Sequence, residues 1–376
     1  MDTDNSEITG INVPALSGMT ITNLAEALKD EKPYRAKQIF SWIARGAQSF
    51  DEMTNLPRQF RKQLAEQFVI RKSRVTEKLE DRDGTVKLRL CLEDGAAIET
   101  VLLAAPGESN SDHSPEKPGQ HNNGRLTACL STQAGCPVGC VFCKTGSLGF
   151  LRNLEAAEIT EQFLYLSDIA KKKEGRRISN IVVMGMGEPL LNLEALRAAL
   201  DILCSKSGLN CSKRKVTVST SGITRGILDM AENGPEAELA LSLTSAREAL
   251  RNRLMPGIQG NSLAQIKEAL QVYQKKQGRR ITLEIVLLGG INTGEEEASA
   301  LAAYAAQLST IINLIPWNPA EGLQFEGKNL REPEEREIET FRALLEQRGF
   351  AVTRRYRRGR SISGACGQLG AAGGNG

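Results

Sequence analysis

The chain has 376 residues, 40% of them hydrophobic, and a formal net charge of +3. This length allows one large domain or two to three smaller ones, and so small a net charge gives no overall preference for a partner. No apolar run approaches the ~20 residues that span a bilayer, and the N-terminus lacks the basic start and apolar stretch of a signal peptide. We therefore expect a soluble cytoplasmic protein without a membrane partner, in which the eight cysteines do not form a disulfide framework.

The first segment of the chain has the periodicity of amphipathic helices. Ile39, Phe40 and Ile43 fall on one helical face, and apolar residues recur every four positions from Phe60. This pattern predicts an N-terminal helical accessory domain over residues 1–75.

A β-hairpin is predicted next, over residues 76–105. Apolar and polar residues alternate before the turn-forming pair Asp94-Gly95, and the return strand carries Glu99 among apolar neighbours. Burial there would make the carboxylate a better base, although an exposed glutamate on a hairpin edge is the simpler interpretation. The polar stretch 106–124 is predicted to be a mobile loop. Because it holds both histidines of the chain, acid–base chemistry must use a carboxylate, a lysine or a thiolate.

Between residues 125 and 350 short apolar runs alternate with helix-like stretches. This alternation predicts parallel strands joined by right-handed crossovers. Six such units favour an α/β protein with a partial (βα)6 barrel over a closed eight-stranded barrel, followed by a C-terminal segment over residues 351–376. The predicted strands lie near 126–130, 181–184, 216–218, 239–243, 281–288 and 311–315.

Distinctive polar residues cluster directly after these predicted strands. In α/β barrels the loops at the carboxyl ends of the strands form the active site, so we expect the clusters to converge. In chain order they are a cysteine-containing loop, the sequence GMGEP with Gly187 and Glu188, Ser219, Ser242 with Leu243 and Thr244, and Asn318.

Cys136, Cys140 and Cys143 form a C-x3-C-x2-C run in the first of these loops. Three thiolates at this spacing can hold three irons of a four-iron cluster and leave the fourth iron open to a small molecule. A zinc site that recruits Cys129 as a fourth ligand is the alternative, and the spacing alone favours the cluster only modestly.

Two basic runs are candidates for binding phosphate groups. Lysines occupy positions Lys171–Lys173, and five arginines surround a tyrosine over Arg354–Arg360. Most such runs are solvated faces, but the second is dense enough to suggest contact with nucleic acid.

Taken together, these motifs resemble the radical S-adenosylmethionine (SAM) superfamily and, within it, the RlmN/Cfr family of RNA adenine methyltransferases. The most specific part of the resemblance is a pair of cysteines outside the triplet, Cys129 and Cys366. One departure is Thr244, where the family usually has histidine. The matching segments are YRAKQIFSWI, FDEMTNLP, ACLSTQAGCPVGCVFCKTGSLGF, NIVVMGMGEPLLN, VTVSTSGI, LALSL, NLIPWNP and GACGQL.

The resemblance implies one 4Fe-4S cluster, held by the cysteine triplet, and two SAM molecules per turnover. It assigns SAM contacts to Gly187, Glu188, Ser219, Ser242, Leu243, Thr244 and Asn318.

The resemblance also implies a reaction route. Carbon 2 of adenine is too electron-poor to attack the methyl sulfonium of SAM directly. One SAM therefore methylates Cys366, and a radical derived from the second SAM takes a hydrogen atom from that methyl group, which then adds to the base. Glu99 removes the ring proton, and Cys129 forms a disulfide with Cys366 to release the methylated adenine.

The implied substrates are an adenosine in the peptidyl-transferase region of 23S rRNA and the adenosine 3′ of the anticodon in tRNA, with a flavodoxin-like electron donor. The target base must leave its stack, and the N-terminal domain and the run Arg354–Arg360 are the candidates for holding RNA. A Cfr-type carbon-8 methyltransferase is the alternative, although the N-terminal segments look more like the carbon-2 branch. A zinc-stabilised RNA-binding protein would leave Cys366 and GMGEP unexplained.

Overall fold

The N-terminal part of the computed structural model is helical, as the sequence predicts. The structure describes residues 13–104, 124–355 and 358–370. Its first elements are a short 3-10 turn (Leu16–Gly18), α1 (Ile21–Ala27), α2 (Tyr34–Arg45), a second 3-10 turn (Phe50–Glu52) and α3 (Arg58–Gln67).

These helices enclose a small hydrophobic core of their own. Ile39, Phe40 and Ile43 on α2 are buried in it, which confirms the predicted apolar face. Leu164 and Ile202, which come from later in the chain, complete this core. The accessory domain is therefore packed against the rest of the molecule rather than tethered to it.

Three antiparallel strands follow, β1 (Arg74–Glu80), β2 (Val86–Cys91) and β3 (Ala97–Ala104). The predicted hairpin is formed by β2 and β3, with Arg89 opposite Glu99. It is not a separate segment, because β3 pairs with the first barrel strand and extends the barrel sheet. The predicted loop at 106–124 lies, apart from Gly124, outside the described residues.

The barrel alternates strands and helices, and all six predicted strands are present. In chain order its elements are β4 (Leu126–Cys129), β5 (Gln133–Gly135), α4 (Lys144–Ser147), β6 (Phe150–Asn153), α5 (Ala156–Glu174), β7 (Asn180–Val183), α6 (Leu193–Cys204), β8 (Val216–Thr220), α7 (Thr224–Asn233), β9 (Glu238–Ser242), α8 (Glu248–Leu254), α9 (Leu263–Gln277), β10 (Ile281–Leu287), α10 (Glu295–Ala305), β11 (Thr310–Pro316), β12 (Gln324–Phe325), β13 (Lys328–Asn329), α11 (Glu335–Glu346) and β14 (Val352–Arg354).

One ten-stranded sheet organises the molecule, in the order β1-β2-β3-β4-β7-β8-β9-β10-β11-β14. Pairing is antiparallel from β1 to β4 and parallel from β4 to β14. The sheet is open, with β1 and β14 at its edges, which confirms the partial barrel. Strand β14 was not predicted, because three residues are too few for an alternating pattern to show.

Strand alternation determines which side chains enter the barrel. On β10, Leu283 and Ile285 are fully buried in the main core, whereas Glu284 and Val286 line the cavity described below. Within the described residues, the search for helices long and apolar enough to cross a membrane found none.

Candidate active site

A cavity opens where the parallel strands end, which is where the sequence predicts the polar clusters to meet. It has two adjoining compartments that share Cys143, Arg355 and Cys366. The first compartment contains the cysteine triplet, and the second contains Cys129 and Asn318. The predicted site residues that line the cavity are Cys129, Cys136, Cys140, Cys143, Gly187, Glu188, Ser219, Ser242, Asn318 and Cys366.

The cysteine triplet lies on the loop between β5 and α4. The Cys136 N–H donates to the Gly149 carbonyl at 2.8 Å, and the Cys143 N–H donates to the Cys140 carbonyl at 3.1 Å. Burial raises the pKa of the Cys136 thiol to about 12, and the charges of Glu188 and Cys143 act in the same direction. Crowded thiols of this kind lose their protons when a cationic metal centre binds them. The donor set therefore fits an iron–sulfur cluster.

The zinc alternative is not supported by the position of Cys129. This residue ends β4 and lines only the second compartment, whereas Cys136 and Cys140 line only the first. Across 13–104, 124–355 and 358–370, no three His, Cys, Asp or Glu side chains are arranged to hold one metal ion. A four-iron cluster does not require three side chains to meet at one metal ion, because each thiolate binds a different iron.

The GMGEP sequence forms the turn after β7. Gly187 has a φ of 101°, and a Cβ at this position would lie 2.5 Å from the Cβ of Gln133, so only glycine fits. The Glu188 carboxylate accepts hydrogen bonds from the N–H and the hydroxyl of Ser221, both at 2.7 Å, and from the Leu190 N–H at 3.0 Å. The Thr220 side chain also bonds to this carboxylate, so the end of β8 holds Glu188 in place at the cavity.

Two serines and one glutamate form a polar group at the ends of β8, β9 and β10. The hydroxyls of Ser219 and Ser242 lie 3.1 Å apart, and Ser219 donates to Glu284 Oε2 at 3.0 Å. Such a cluster of hydroxyls and a carboxylate can bind the hydroxyls of a ribose. The sequence analysis missed Glu284, although a single carboxylate within the apolar run ITLEIVL was a signal for it.

Arg355 lies in the cavity, which the sequence analysis did not predict when it assigned this arginine to a phosphate-binding run. Its Nη1 lies 3.4 Å from Glu284 Oε1 and 3.4 Å from the sulfur of Met184. The negative charges of Cys366 and Glu284 raise the pKa of the guanidinium, which therefore stays protonated. Arg355 thus places a permanent positive charge between the serine–glutamate group and the two thiols.

The other described arginines of that run are bound to the protein itself. Tyr356 and Arg357 lie outside the described residues. The contacts of the rest are Arg354 with Glu335, Arg358 with the Ala104 carbonyl, and Arg360 with Glu332.

Leu243 and Thr244 follow β9 but do not line the cavity. Both side chains are completely buried, and their N–H groups donate to the Glu284 carbonyl at 3.0 and 3.2 Å. They lie beneath the polar group and hold the end of β9 against β10.

Asn318 lies in the second compartment, after β11. Its Nδ2 donates to the Cys366 carbonyl at 3.1 Å, while its buried Oδ1 has no hydrogen-bond partner among the described residues. A buried acceptor without a donor indicates a position where the N–H or O–H of a bound molecule belongs.

The segment Gly364–Gly370 carries Cys366 into the cavity. The Gly367 carbonyl accepts from the Lys144 N–H at 2.8 Å, and the Leu369 carbonyl accepts from the Thr145 hydroxyl at 2.6 Å. Since Lys144 directly follows Cys143, the helix that begins after the triplet also fixes the loop of Cys366.

Cys129 faces Cys366 across the second compartment. Burial raises the pKa of the Cys129 thiol to about 12, and the charge of Cys366 adds to this effect while Arg355 opposes it. Cys129 is therefore a thiol at neutral pH.

Glu99 is buried, but its neighbours are not only apolar as the sequence suggested. Its Oε1 lies 2.9 Å from the ammonium of Lys87, and its Oε2 accepts the Gly370 N–H at 2.8 Å. Lys87 alternates with apolar residues on β2 and was expected to face solvent, yet only 8% of its side chain is exposed. Each oxygen of the Glu99 carboxylate therefore has one partner from the protein, the Lys87 ammonium and the Gly370 N–H.

Comparison with known proteins shows the family of the chain. The family model of the radical SAM superfamily matches residues 130–302, and that of the ribosomal RNA large subunit methyltransferase N-terminal domain matches residues 14–70. A radical SAM methyltransferase from Sphaerobacter thermophilus has a similar structure, with a TM-score of 0.85 and 36% identity over 95% of this chain and 99% of that one.

Two curated relatives are similar over almost their whole length. The probable dual-specificity RNA methyltransferase RlmN of Treponema denticola is 46% identical over 95% of both chains. The dual-specificity RNA methyltransferase RlmN of Lawsonia intracellularis is 41% identical over 96% of this chain and 95% of its own. The fold and the site define a radical-SAM RNA methyltransferase, an enzyme class that uses a 4Fe-4S cluster and SAM. The chain belongs to the RlmN family.

Proposed function

We propose that this enzyme methylates carbon 2 of an adenosine in 23S rRNA and of the adenosine 3′ of the anticodon in tRNA. The observation that carries the proposal is the pair Cys129 and Cys366, which lies in one cavity with the cysteine triplet. A radical-SAM enzyme that only cleaves SAM needs no such pair. The "dual-specificity" in the names of the relatives supports two kinds of RNA substrate.

We assign the cluster to Cys136, Cys140 and Cys143, and SAM to Gly187, Glu188, Ser219, Ser242 and Asn318, with Leu243 and Thr244 supporting from beneath. When bound, the cluster and SAM supply one-electron cleavage of the sulfonium and thereby hydrogen-atom abstraction. Two SAM molecules would be used in each turnover, and a flavodoxin-like protein would supply the electron.

Cys366 acts as the nucleophile that accepts a methyl group from the first SAM. Its loop is held by Lys144, Thr145 and Asn318, so the methyl carbon would be presented at a constant position between the two compartments.

Glu99 and Cys129 complete the reaction on the RNA adduct. Glu99 takes the ring proton at a carboxylate position that Lys87 and the Gly370 N–H leave free, and the unpaired electron of the radical adduct passes back to an electron acceptor. The Cys129 thiol loses its proton and its sulfur attacks the Cys366 sulfur. The bond between the Cys366 sulfur and the methylene carbon breaks, its electron pair passes to the adenine adduct, and the methylene carbon takes a proton to become the methyl group of the released base.

We assign the RNA contacts to the N-terminal domain (1–75) and the C-terminal segment (351–376). The hairpin (76–105) and the barrel (125–350) would form the catalytic body. The target base would be flipped out of its stack to reach Cys366.

The test is an anaerobic reaction of the reconstituted protein with SAM, reductant and unmodified 23S rRNA fragment or tRNA, followed by mass spectrometry of the nucleosides. 2-Methyladenosine from both RNAs is the expected product. 8-Methyladenosine would replace the proposal with the carbon-8 reaction, and no methylated adenine from protein that cleaves SAM would reject it.

Two variants test the thiol roles separately. Cys366→Ala should cleave SAM but never acquire a methyl group. Cys129→Ala should become methylated on Cys366 and then retain RNA covalently, visible as a shifted band on a denaturing gel. Free methylated RNA formed by Cys129→Ala at the wild-type rate would contradict the assignment of Cys129.

A further inference from the structure

A basic groove lies where the N-terminal domain meets helix α5, and none of its residues lines the active-site cavity. We call it the junction groove and define it by Ser49, Arg58, Arg61, Lys62, Arg71 and Tyr165. Four of these six side chains are cationic, and the one carboxylate in the lining, Asp51, is 96% exposed. Tyr165 lies nine residues, or about 14 Å, along α5 from the first residue of that helix.

The centre of the groove is Arg71, whose side chain is only 7% exposed. Its guanidinium stacks on the ring of Tyr165 at 4.5 Å. Nη2 donates to the Gly46 carbonyl at 3.3 Å and lies 3.5 Å from Asp168. Nε and Nη1 have no acceptor anywhere in the described part of the chain.

Arg61 repeats this arrangement on α3. Its Nη1 donates to the Asp51 carbonyl at 2.6 Å, while its buried Nε has no partner among the described residues. Buried donors are nearly always paired in folded proteins, and an unpaired one indicates a missing water or ion. Three unpaired guanidinium nitrogens in one groove, two on Arg71 and one on Arg61, indicate an acceptor with several oxygens.

Arg58 and Lys62 supply the entrance to the groove. They are four residues apart on α3 and thus on one helix face, and both are exposed. Neither side chain has a hydrogen bond or ion pair with the described residues. These cations therefore differ from the arginines of the run Arg354–Arg360, whose described members are already bound to protein groups.

We propose that the junction groove binds a phosphodiester group of the substrate RNA, away from the target adenosine. The unpaired Nε and Nη1 of Arg71 can donate to two oxygens of a phosphate group, and the Arg61 Nε can donate to a third. The Nη1 of Arg61 is already 3.5 Å from the Asp51 carboxylate, and Arg58 and Lys62 add positive charge. Such a contact carries no sequence information but fixes the orientation of the RNA. This proposal depends on the proposed function only because it takes RNA to be the ligand.

The test measures RNA affinity at several salt concentrations for Arg58→Gln/Lys62→Gln and, separately, for Arg71→Lys, which keeps the charge but loses the fork. The matched control is Lys29→Gln/Lys37→Gln, which removes the same charge from exposed sites of the same domain outside the groove. Loss of one to two phosphate contacts should weaken binding about 5- to 20-fold near physiological salt. In Arg58→Gln/Lys62→Gln the slope of log K against log salt should also become shallower by about 1 to 2, whereas in Arg71→Lys the slope should hardly change because the charge is kept.

Groove variants that bind RNA no more weakly than the control, with an unchanged salt slope, would overturn the proposal. So would variants that lose binding of inorganic phosphate, measured by calorimetry, while RNA affinity stays at the wild-type level, because the groove would then hold a free anion. If the wild-type protein forms no methylated adenosine, the proposed function is rejected. The comparison of RNA affinities would still show whether the groove binds RNA.

Discussion

At the scale of single residues, buried charges are paired between different strands of the sheet. Glu284 on β10 bonds to Ser219 and lies beside Arg355, and Lys87 on β2 pairs with Glu99 on β3. A buried charge without a partner is strongly unfavourable, so each pair constrains where its members can lie. The pairs also explain why local patterns missed Glu284, Arg355 and the burial of Lys87, since each partner comes from another strand.

Replacement of Arg355 by glutamine should slow the transfer steps more than the binding of SAM. The guanidinium is the cation between Glu284 and the two thiols, whereas the serines that we assign to SAM would remain. We expect RNA methylation in a single turnover to fall about 10- to 100-fold, or about 1.4–2.7 kcal/mol, with partial recovery in Arg355→Lys. Wild-type rates in both variants would show that Arg355 has no part in the reaction.

Replacement of Lys87 by methionine should destabilise the protein by about 3–5 kcal/mol, because it leaves the Glu99 carboxylate buried without its cation. Denaturant unfolding of the purified protein measures the change. The double variant Lys87→Met/Glu99→Gln should recover much of the loss, and a double variant as unstable as the single one would contradict the explanation.

At the scale of elements, helix ends fix how the parts of the molecule join. Helix α2 ends at Gly46, whose φ of 96° is left-handed, and its carbonyl accepts from Arg71. Helix α11 begins with a Glu337 carboxylate that accepts from the N–H groups of Glu334 and Gly290 at 2.7 and 2.9 Å. The residues at both helix ends therefore cap a helix and also form a hydrogen bond to a neighbouring segment.

Substitution of Gly46 by alanine should cost more stability than the same change at another helix end. A Cβ on Gly46 would lie 2.5 Å from Asp168 Oδ1, whereas Gly175, which ends α5 with a φ of 61°, has free space there. We expect about 1 kcal/mol for Gly175→Ala and about 2–3 kcal/mol for Gly46→Ala, measured by thermal or denaturant unfolding. Equal losses at both positions would mean that contact with Asp168 contributes nothing.

The cap of α11 should make stability depend on acid pH. The ion pair with Arg331 lowers the pKa of Glu337 to about 2, from 4.5 in the unfolded chain. Its contribution is complete above pH 4.5 and is lost as the pH falls from there towards 2. As the pH falls from 4.5 towards 2, the free energy of unfolding should decrease less in Glu337→Gln than in the wild type. With solvent screening taken into account, the difference should be on the order of 1–2 kcal/mol. Parallel stability curves for the two proteins would contradict this origin.

At the scale of the whole molecule, the sequence predicts the order of the strands and the convergence of the polar clusters, because both follow from local periodicity. It does not predict that β3 and β14 extend the barrel sheet, since strand pairing depends on contacts between distant residues. For the same reason it does not reveal that Leu164 and Ile202 complete the core of the N-terminal domain. The domain boundaries predicted from the sequence therefore divide a sheet and a hydrophobic core that are each continuous in the structure.

Leu164→Ala should consequently weaken both parts of the molecule at once. The side chain lies on α5, is 1% exposed and packs in the core of the N-terminal domain. We expect a loss of about 2–5 kcal/mol in denaturant unfolding, and faster hydrogen exchange in both α2 and α5. The control Val272→Ala, at a 39% exposed position on α9, should change stability by less than about 0.5 kcal/mol. Exchange that rises only in α5 would show that the two parts unfold independently.

The attachment of the Cys366 segment to the start of α4 has a consequence for biosynthesis. During translation the cysteine triplet is made long before Gly364–Gly370, whereas β14, the last strand of the barrel sheet, is made only just before that segment. Iron and sulfide can therefore reach the three cysteines of the nascent chain before the cover formed by this segment exists. In the finished protein the Gly367 and Leu369 carbonyls accept hydrogen bonds from Lys144 and Thr145. Delivery of iron and sulfide to the cysteines then requires these hydrogen bonds to break. Cluster insertion into the finished protein should thus be slower than insertion during synthesis.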